Sequence, residues 1–173
     1  LRRSPQGRGV VTSASYEARK YGVHSAMPMA RAARLCPGAM IAPVPWEACQ
    51  EKSHRIREVL KRFAPVVETA SSDEFYLDLT GTERLYKDEP LAETARRMRE
   101  AVLAETQLSV SIGGGTSKVV AKLAAGIAKP GGVHVVPAGE EGAFMRRFSL
   151  GDIPFVGKRF VERLERHHLK SVD

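Results

Sequence analysis

Cysteine is scarce: Cys36 and Cys49 are the only two in 173 residues. Neither has a CxxC or histidine-paired spacing, which argues against a disulfide framework and a structural zinc module and for a reducing compartment. Apolar runs are short. None approaches the roughly 18 residues of a membrane-spanning helix, and the charged opening LRRSPQGRG does not resemble a secretory signal. Internal repeats and low-complexity tracts are missing, and so is an initiating methionine. The chain opens like the middle of something, so a piece of a longer protein is expected. A secreted miniprotein, a membrane protein and a zinc module are thereby disfavoured.

What is present is a globular balance, 43% hydrophobic and 27% charged. The length suits one ordinary domain, or one domain with pieces of others, and can bury a core without crosslinks. The net charge of +7 is unevenly placed. Residues 1–34 carry seven cations (Arg2, Arg3, Arg8, Arg19, Lys20, Arg31, Arg34) against Glu17, giving +6. Residues 35–136 hold 13 of each sign, and the remainder seven against six. Such a concentration points to an anionic partner for the first segment, with a solvated basic face as the plainer reading.

Apolar spacing and chain breakers outline the elements. GVVTSAS is a short β-prone stretch, and the spacing of Met29, Ala32, Ala33 and Leu35 behind Pro28 predicts a helix. MIAPVP reads as extended. Trp46 to Phe63 and Leu91 to Leu103 read as amphipathic helices. VVETA is a strand, and so is the stretch from Glu74 onward, with Phe75, Leu77 and Leu79 on one face. LSVSIGG alternates again. A third long helix capped by Thr116 or Ser117 would bury Val119, Val120, Leu123, Ala124 and Ile127, and GVHVV is a strand. The order α-β-β-α-β-α-β fits an α+β domain, a sheet with helices on one face. A last helix would turn Phe160, Val161 and Leu164 inward.

Several residues have chemistry to offer. Asp73 and Glu74 are adjacent carboxylates. In strand register Asp73 would share the apolar face with Phe75, where an unpaired charge is costly and a hard divalent cation would relieve it. A solvated surface turn explains the pair equally well. Tyr16 and Arg19 offer a hydroxyl and a planar fork to phosphate oxygens. Lys129 is a further cation beside a chain reversal, or a residue balancing a helix dipole. Gly113, Gly114 and Gly115 invite comparison with a phosphate cradle, but GGGTSK lacks the P-loop spacing, and strand-on-helix packing is the safer account. Gly157, ahead of a basic helix, offers backbone N–H groups to a phosphate.

Four blocks occur in one order: TSASYEARKYGVHSAMPMARAARLCP, SSDEFYLDLTG, SIGGGTSKVVAKLAAGIAKPGGVHVV and IPFVGKRFVERLERH. Together they resemble the Y-family (translesion) DNA polymerases, nearest the DNA polymerase IV (DinB-like) type, over essentially the whole chain. The resemblance implies a ferredoxin-like βαββαβ palm sheet, with fingers at 1–45, palm at 46–136 and the start of a helix-hairpin-helix thumb at 137–173. It implies low-fidelity, template-directed nucleotidyl transfer with two Mg²⁺ ions in a cytoplasmic monomer. Asp73 and Glu74 would both be catalytic and metal-binding. Tyr16, Arg19 and Lys129 would contact the triphosphate, and Thr12 would cover the nascent base pair. Gly157, Lys158 and Arg159 would grip duplex backbone. Primer-template DNA, deoxynucleoside triphosphates and a sliding clamp, met through a further C-terminal segment, would be the partners; a membrane would not.

Departures accompany the match. The early palm strand with its metal-binding Asp and the aromatic that excludes ribonucleotides are not found here, nor is the little finger. The isolated chain is therefore expected to be inactive. Ser72 replaces an aliphatic residue, Ser117 a common Asn, and Phe155 the usual hairpin Gly. The rival is a polymerase-like accessory protein in mutagenesis that binds DNA without catalysis. A simple helix-hairpin-helix protein would leave the YEAR and SxDE blocks unexplained.

Overall fold

Most of the longer helices begin just after a proline or a serine. In the computed structural model, which describes residues 9–172, Ser15 accepts a hydrogen bond from the Ala18 N–H and opens α1 (Tyr16–Lys20). Pro28 leads into α2 (Met29–Leu35) and Pro45 into α3 (Trp46–Leu60). The chain forms two units that part after Glu47, each with its own core. The charged opening with Arg2, Arg3 and Arg8 lies outside the described residues.

The first unit buries Val11, Val23, Met27 and Ala32, with Ala14, Ala18 and Met29 packed around them. The stretch GVVTSAS does not form a strand. It makes one bridge, Val10 to Pro28, and Val11 exchanges bonds with the Met27 carbonyl and the Ala26 N–H, both at 2.8 Å. Pro28 has no N–H to extend a ladder, which limits the pairing.

The second unit continues α3 into β1 (Val66–Thr69), β2 (Phe75–Asp78), α4 (Leu91–Thr106), β3 (Ile112–Gly114), α5 (Lys118–Ile127) and β4 (Val133–Val135). This is the expected α-β-β-α-β-α-β order and an α+β domain. The strands pair as two ladders instead of one continuous sheet among the described residues: β1–β2 antiparallel, with Val67 opposite Leu77, and β3–β4 parallel, with Gly113 opposite His134. LSVSIGG is strand only from Ile112. Its partner becomes extended only past the Pro130-Gly131 turn, where the Gly132 carbonyl accepts from the Ile112 N–H, and upstream Ser111 Oγ accepts from the Gly131 N–H instead.

Alternation in the hairpin puts Val67, Phe75 and Leu77 against Ile56, Val59 and Leu60 of α3 and the fully buried Val102 of α4. A separate cluster joins Val120, Leu123 and Ala124 of α5 to Val136 and to Phe144 of α6 (Glu141–Met145). Ser117 is the α5 cap, accepting from the Val120 N–H. Ile127, expected inward, is 39% exposed because α5 ends there. The last helix, α7 (Lys158–Arg166), buries no residue, and Phe160 lies outward beneath the Arg163 guanidinium. No helix among the described residues is long and apolar enough to cross a membrane.

Gly113 shows why this segment is glycine-rich. A Cβ there would lie 2.1 Å from the Ala121 carbonyl oxygen and 2.1 Å from the Ala125 nitrogen, both backbone. Gly113 and Gly115 serve close strand-on-helix packing, whereas Gly114 lies against Val135 of β4 and Leu91 of α4. Gly113→Ala should therefore destabilise the chain by at least about 2–3 kcal/mol, in the range of overpacked cores. Gly126→Ala, in α5 with open space around it, should stabilise by up to about 1 kcal/mol. Urea denaturation of the two variants checks the contrast.

Two surface carboxylates tie loops to this framework. Glu141 accepts from the Thr116 hydroxyl at 2.6 Å, and this bond chiefly holds its carboxyl below the ordinary range. Asp152 accepts from the Ser149 hydroxyl and N–H, with the same effect. Groups lowered on folding stabilise above their ordinary pKa, near about 4, and lose that contribution as pH falls through the folded value. Glu141→Gln and Asp152→Asn should thus lower the thermal midpoint more at pH 7 than at pH 3.

Candidate active site

The turn between β1 and β2 carries the adjacent carboxylates. Asp73 lies ahead of the first residue of β2, so strand alternation does not govern it. It is exposed, not on the apolar face as the register suggested. Its carboxylate accepts from the Ser71 hydroxyl at 2.7 Å, a bond local to the turn. Glu74 closes the turn by offering its carbonyl to the N–H groups of Ala70 and Ser71. Both carboxylates stand at the end of a hairpin whose other face is packed on α3 and α4.

A residue not singled out from sequence completes this corner. Lys122 of α5 donates to both oxygens of Glu74, at 2.8 and 2.6 Å. Glu74 foremost, then Tyr76 and Asp73, raises the lysine pKa. One helical turn earlier, Lys118 pairs with Glu68 of β1 at 2.5 Å and lies 5.4 Å from the Tyr76 ring centre. The only sequence signal was two lysines at i and i+4 on one helix; their partners are about 50 residues away. Glu68, Tyr76, Lys118, Pro154 and Phe155 line an adjoining open cleft of about 500 Å³.

The remaining candidates fall into separate places. In the first unit, Thr12, Tyr16 and Arg19 are exposed. The Arg19 guanidinium lies 6.0 Å from the Tyr16 ring centre. Its Nε donates to the Ala14 carbonyl, and its two terminal nitrogens make no hydrogen bond among the described residues. Lys129, just past α5, is exposed and makes no ion pair with either carboxylate. Gly157 is the N-cap of α7, with no side chain capping the helix, and Lys158 and Arg159 form its exposed first turn.

Chemically, the turn offers two hard oxygen donors side by side. A Mg²⁺-like ion takes one or two carboxylates and completes its shell with phosphate and water. No group of three or more His, Cys, Asp or Glu comes together among the described residues. The pair therefore fits a metal ion as part of a larger donor set. The Glu74–Lys122 bridge is partly exposed on both sides, so its energy is small. A double-mutant cycle with Glu74→Gln and Lys122→Met should give about 0.2–1 kcal/mol of coupling, falling with added salt.

Comparison with known proteins adds a second line. The impB/mucB/samB family model matches residues 3–126. A protein named DNA polymerase IV from Dehalococcoides mccartyi (strain ATCC BAA-2266) is 42% identical over 168 residues, covering 97% of this chain and 41% of that protein. One of the same name from Cronobacter sakazakii is 39% identical, covering 98% of this chain and 48% of its own length. Among solved structures, an insertion ternary complex of Dbh DNA polymerase superposes with a TM-score of 0.85 at 30% identity, over 95% of this chain and 47% of that one. The chain thus spans about half the length of the curated relatives it matches. The family model covers most of the sequence, including the YEAR and SxDE blocks and the hairpin with both carboxylates: the chain belongs to the impB/mucB/samB family, among the Y-family polymerases.

Proposed function

We propose that this chain is the fingers, palm and first thumb segment (about 1–45, 46–136 and 137–173) of a translesion DNA polymerase, one that copies damaged template at low fidelity. The observation that carries the reading is the exposed Asp73–Glu74 pair, held on a braced hairpin turn in a chain of this family. Two Mg²⁺ ions, when bound in such a site, offset charge on the attacking primer 3′-hydroxyl and the leaving pyrophosphate. Asp73 and Glu74 would hold them. The Ser71 bond orients the first carboxylate, and Lys122 positions the second until a metal ion displaces the ammonium.

Tyr16, Arg19 and Lys129 bind the triphosphate in this reading, Arg19 through the terminal nitrogens that its Ala14 bond leaves outward. Thr12 covers the nascent pair. Gly157, Lys158 and Arg159 hold duplex phosphates through backbone N–H and cationic groups without reading sequence. A sliding-clamp partner and a cytoplasmic location belong to the same proposal.

One observation favours the rival, a DNA-binding protein without catalysis: both oxygens of Glu74 are already engaged by Lys122. Primer extension separates the two. Among the described residues the turn brings only two carboxylates together, so extension by the 173-residue chain should be undetectable while primer-template binding is measurable. In a longer protein containing this segment, Asp73→Ala or Glu74→Ala should cut extension about 100-fold or more with DNA binding retained. Undiminished extension in either variant would refute the metal assignment.

A further inference from the structure

Phe155 is out of keeping with its surroundings in two ways. Its backbone has φ +69°, in the left-handed region that glycine enters freely and a bulky side chain does not. Its side chain is 92% exposed, so the ring gains almost nothing from the fold. Two local costs at one residue without a compensating internal contact mark a position shaped by something outside the chain.

The neighbourhood says what that something is. Phe155 sits two residues before the uncapped N-terminus of α7. From 153 to 172 the sequence carries Lys158, Arg159, Arg163, Arg166 and Lys170 against Glu162 and Glu165, five minus two, or +3. None of the α7 cations joins a salt bridge among the described residues. Such a surface attracts a polyanion, and an aromatic ring standing out of it meets the one polyanion that also presents apolar faces, a nucleic acid.

We propose that Phe155 is a DNA-contacting wedge: its ring packs on the sugar and base edges of the duplex whose phosphates α7 holds. The inference rests on the polymerase reading above and adds to it a contact that carries no charge. It makes the thumb turn a mixed grip, apolar at 155 and ionic at 158 and 159. The ring stands 92% exposed at the rim of the cleft lined by Glu68, Tyr76 and Lys118.

Fluorescence anisotropy of a labelled primer-template duplex, titrated with the 173-residue chain at several salt concentrations, tests this. Phe155→Gly should weaken binding about fivefold or more, the scale of one lost aromatic–base contact. It should leave the salt slope unchanged and keep or raise the thermal midpoint, since glycine suits the backbone. Phe155→Leu should fall between. The double variant Lys158→Ala/Arg159→Ala should instead lower the salt slope by about two. Binding by Phe155→Gly within twofold of the parent, a loss carried by the salt slope, or a lowered midpoint would each overturn the wedge while the polymerase reading stands. Absence of any duplex binding by the parent would overturn both.

Discussion

The close approach of β3 to α5 at Gly113 governs the position of the second unit's charged groups. With no side chain at 113, the strand lies directly on the helix backbone at Ala121 and Ala125. That contact fixes α5, and α5 carries Lys118 and Lys122 one turn apart on a single face. These two lysines meet Glu68 and Glu74 on the hairpin. A missing methyl group on one strand thus determines which cation stands beside a carboxylate of the other ladder.

The two units divide their charge differently. The salt bridges among the described residues all lie in the second, between residues 58 and 122, and the α7 cations join none of them. In the first, Arg19 spends its Nε on a backbone carbonyl, and Arg31 and Arg34 stand on a short helix with no acidic residue in its first turn. A matched surface stabilises itself weakly; an unmatched one is left to attract anions. The uneven charge seen in composition is therefore an uneven distribution of partners in space.

Most of the fold was legible because local signals were strong. Pro28, Pro45, Pro90 and Ser117 precede helix starts, and of the stripe expected in α5 Val120, Leu123 and Ala124 are buried while Val119 is half-buried and Ile127 exposed. Signals failed where a distant neighbour decided. Leu108 to Ser111 alternate like a strand, yet the partner chain is still turning at Pro130 and Gly131, so no ladder forms. Asp73 obeys the turn and not the register, because Ser71 captures its carboxylate before β2 begins. Phe160 keeps a helical spacing, but nothing in the described chain covers that side of α7. Lys122 was invisible for the reason that makes it important: its partner is 48 residues away and only the fold brings them together.

The hairpin is packed into the cluster of α3 and α4, whereas α5 belongs to the cluster that includes Val136 and Phe144. The Glu68–Lys118 and Glu74–Lys122 bridges therefore stitch across a seam between two cores and bind neither internally. Exposed side chains exchange partners in picoseconds to nanoseconds, while packed bodies shift together over microseconds to milliseconds. A seam bridged by such exposed pairs can exchange partners at its surface. The carboxylates at its edge can trade an ammonium for another cation with neither core repacking, so the corner is rigid in its foundations and fluent in its choice of counter-ion.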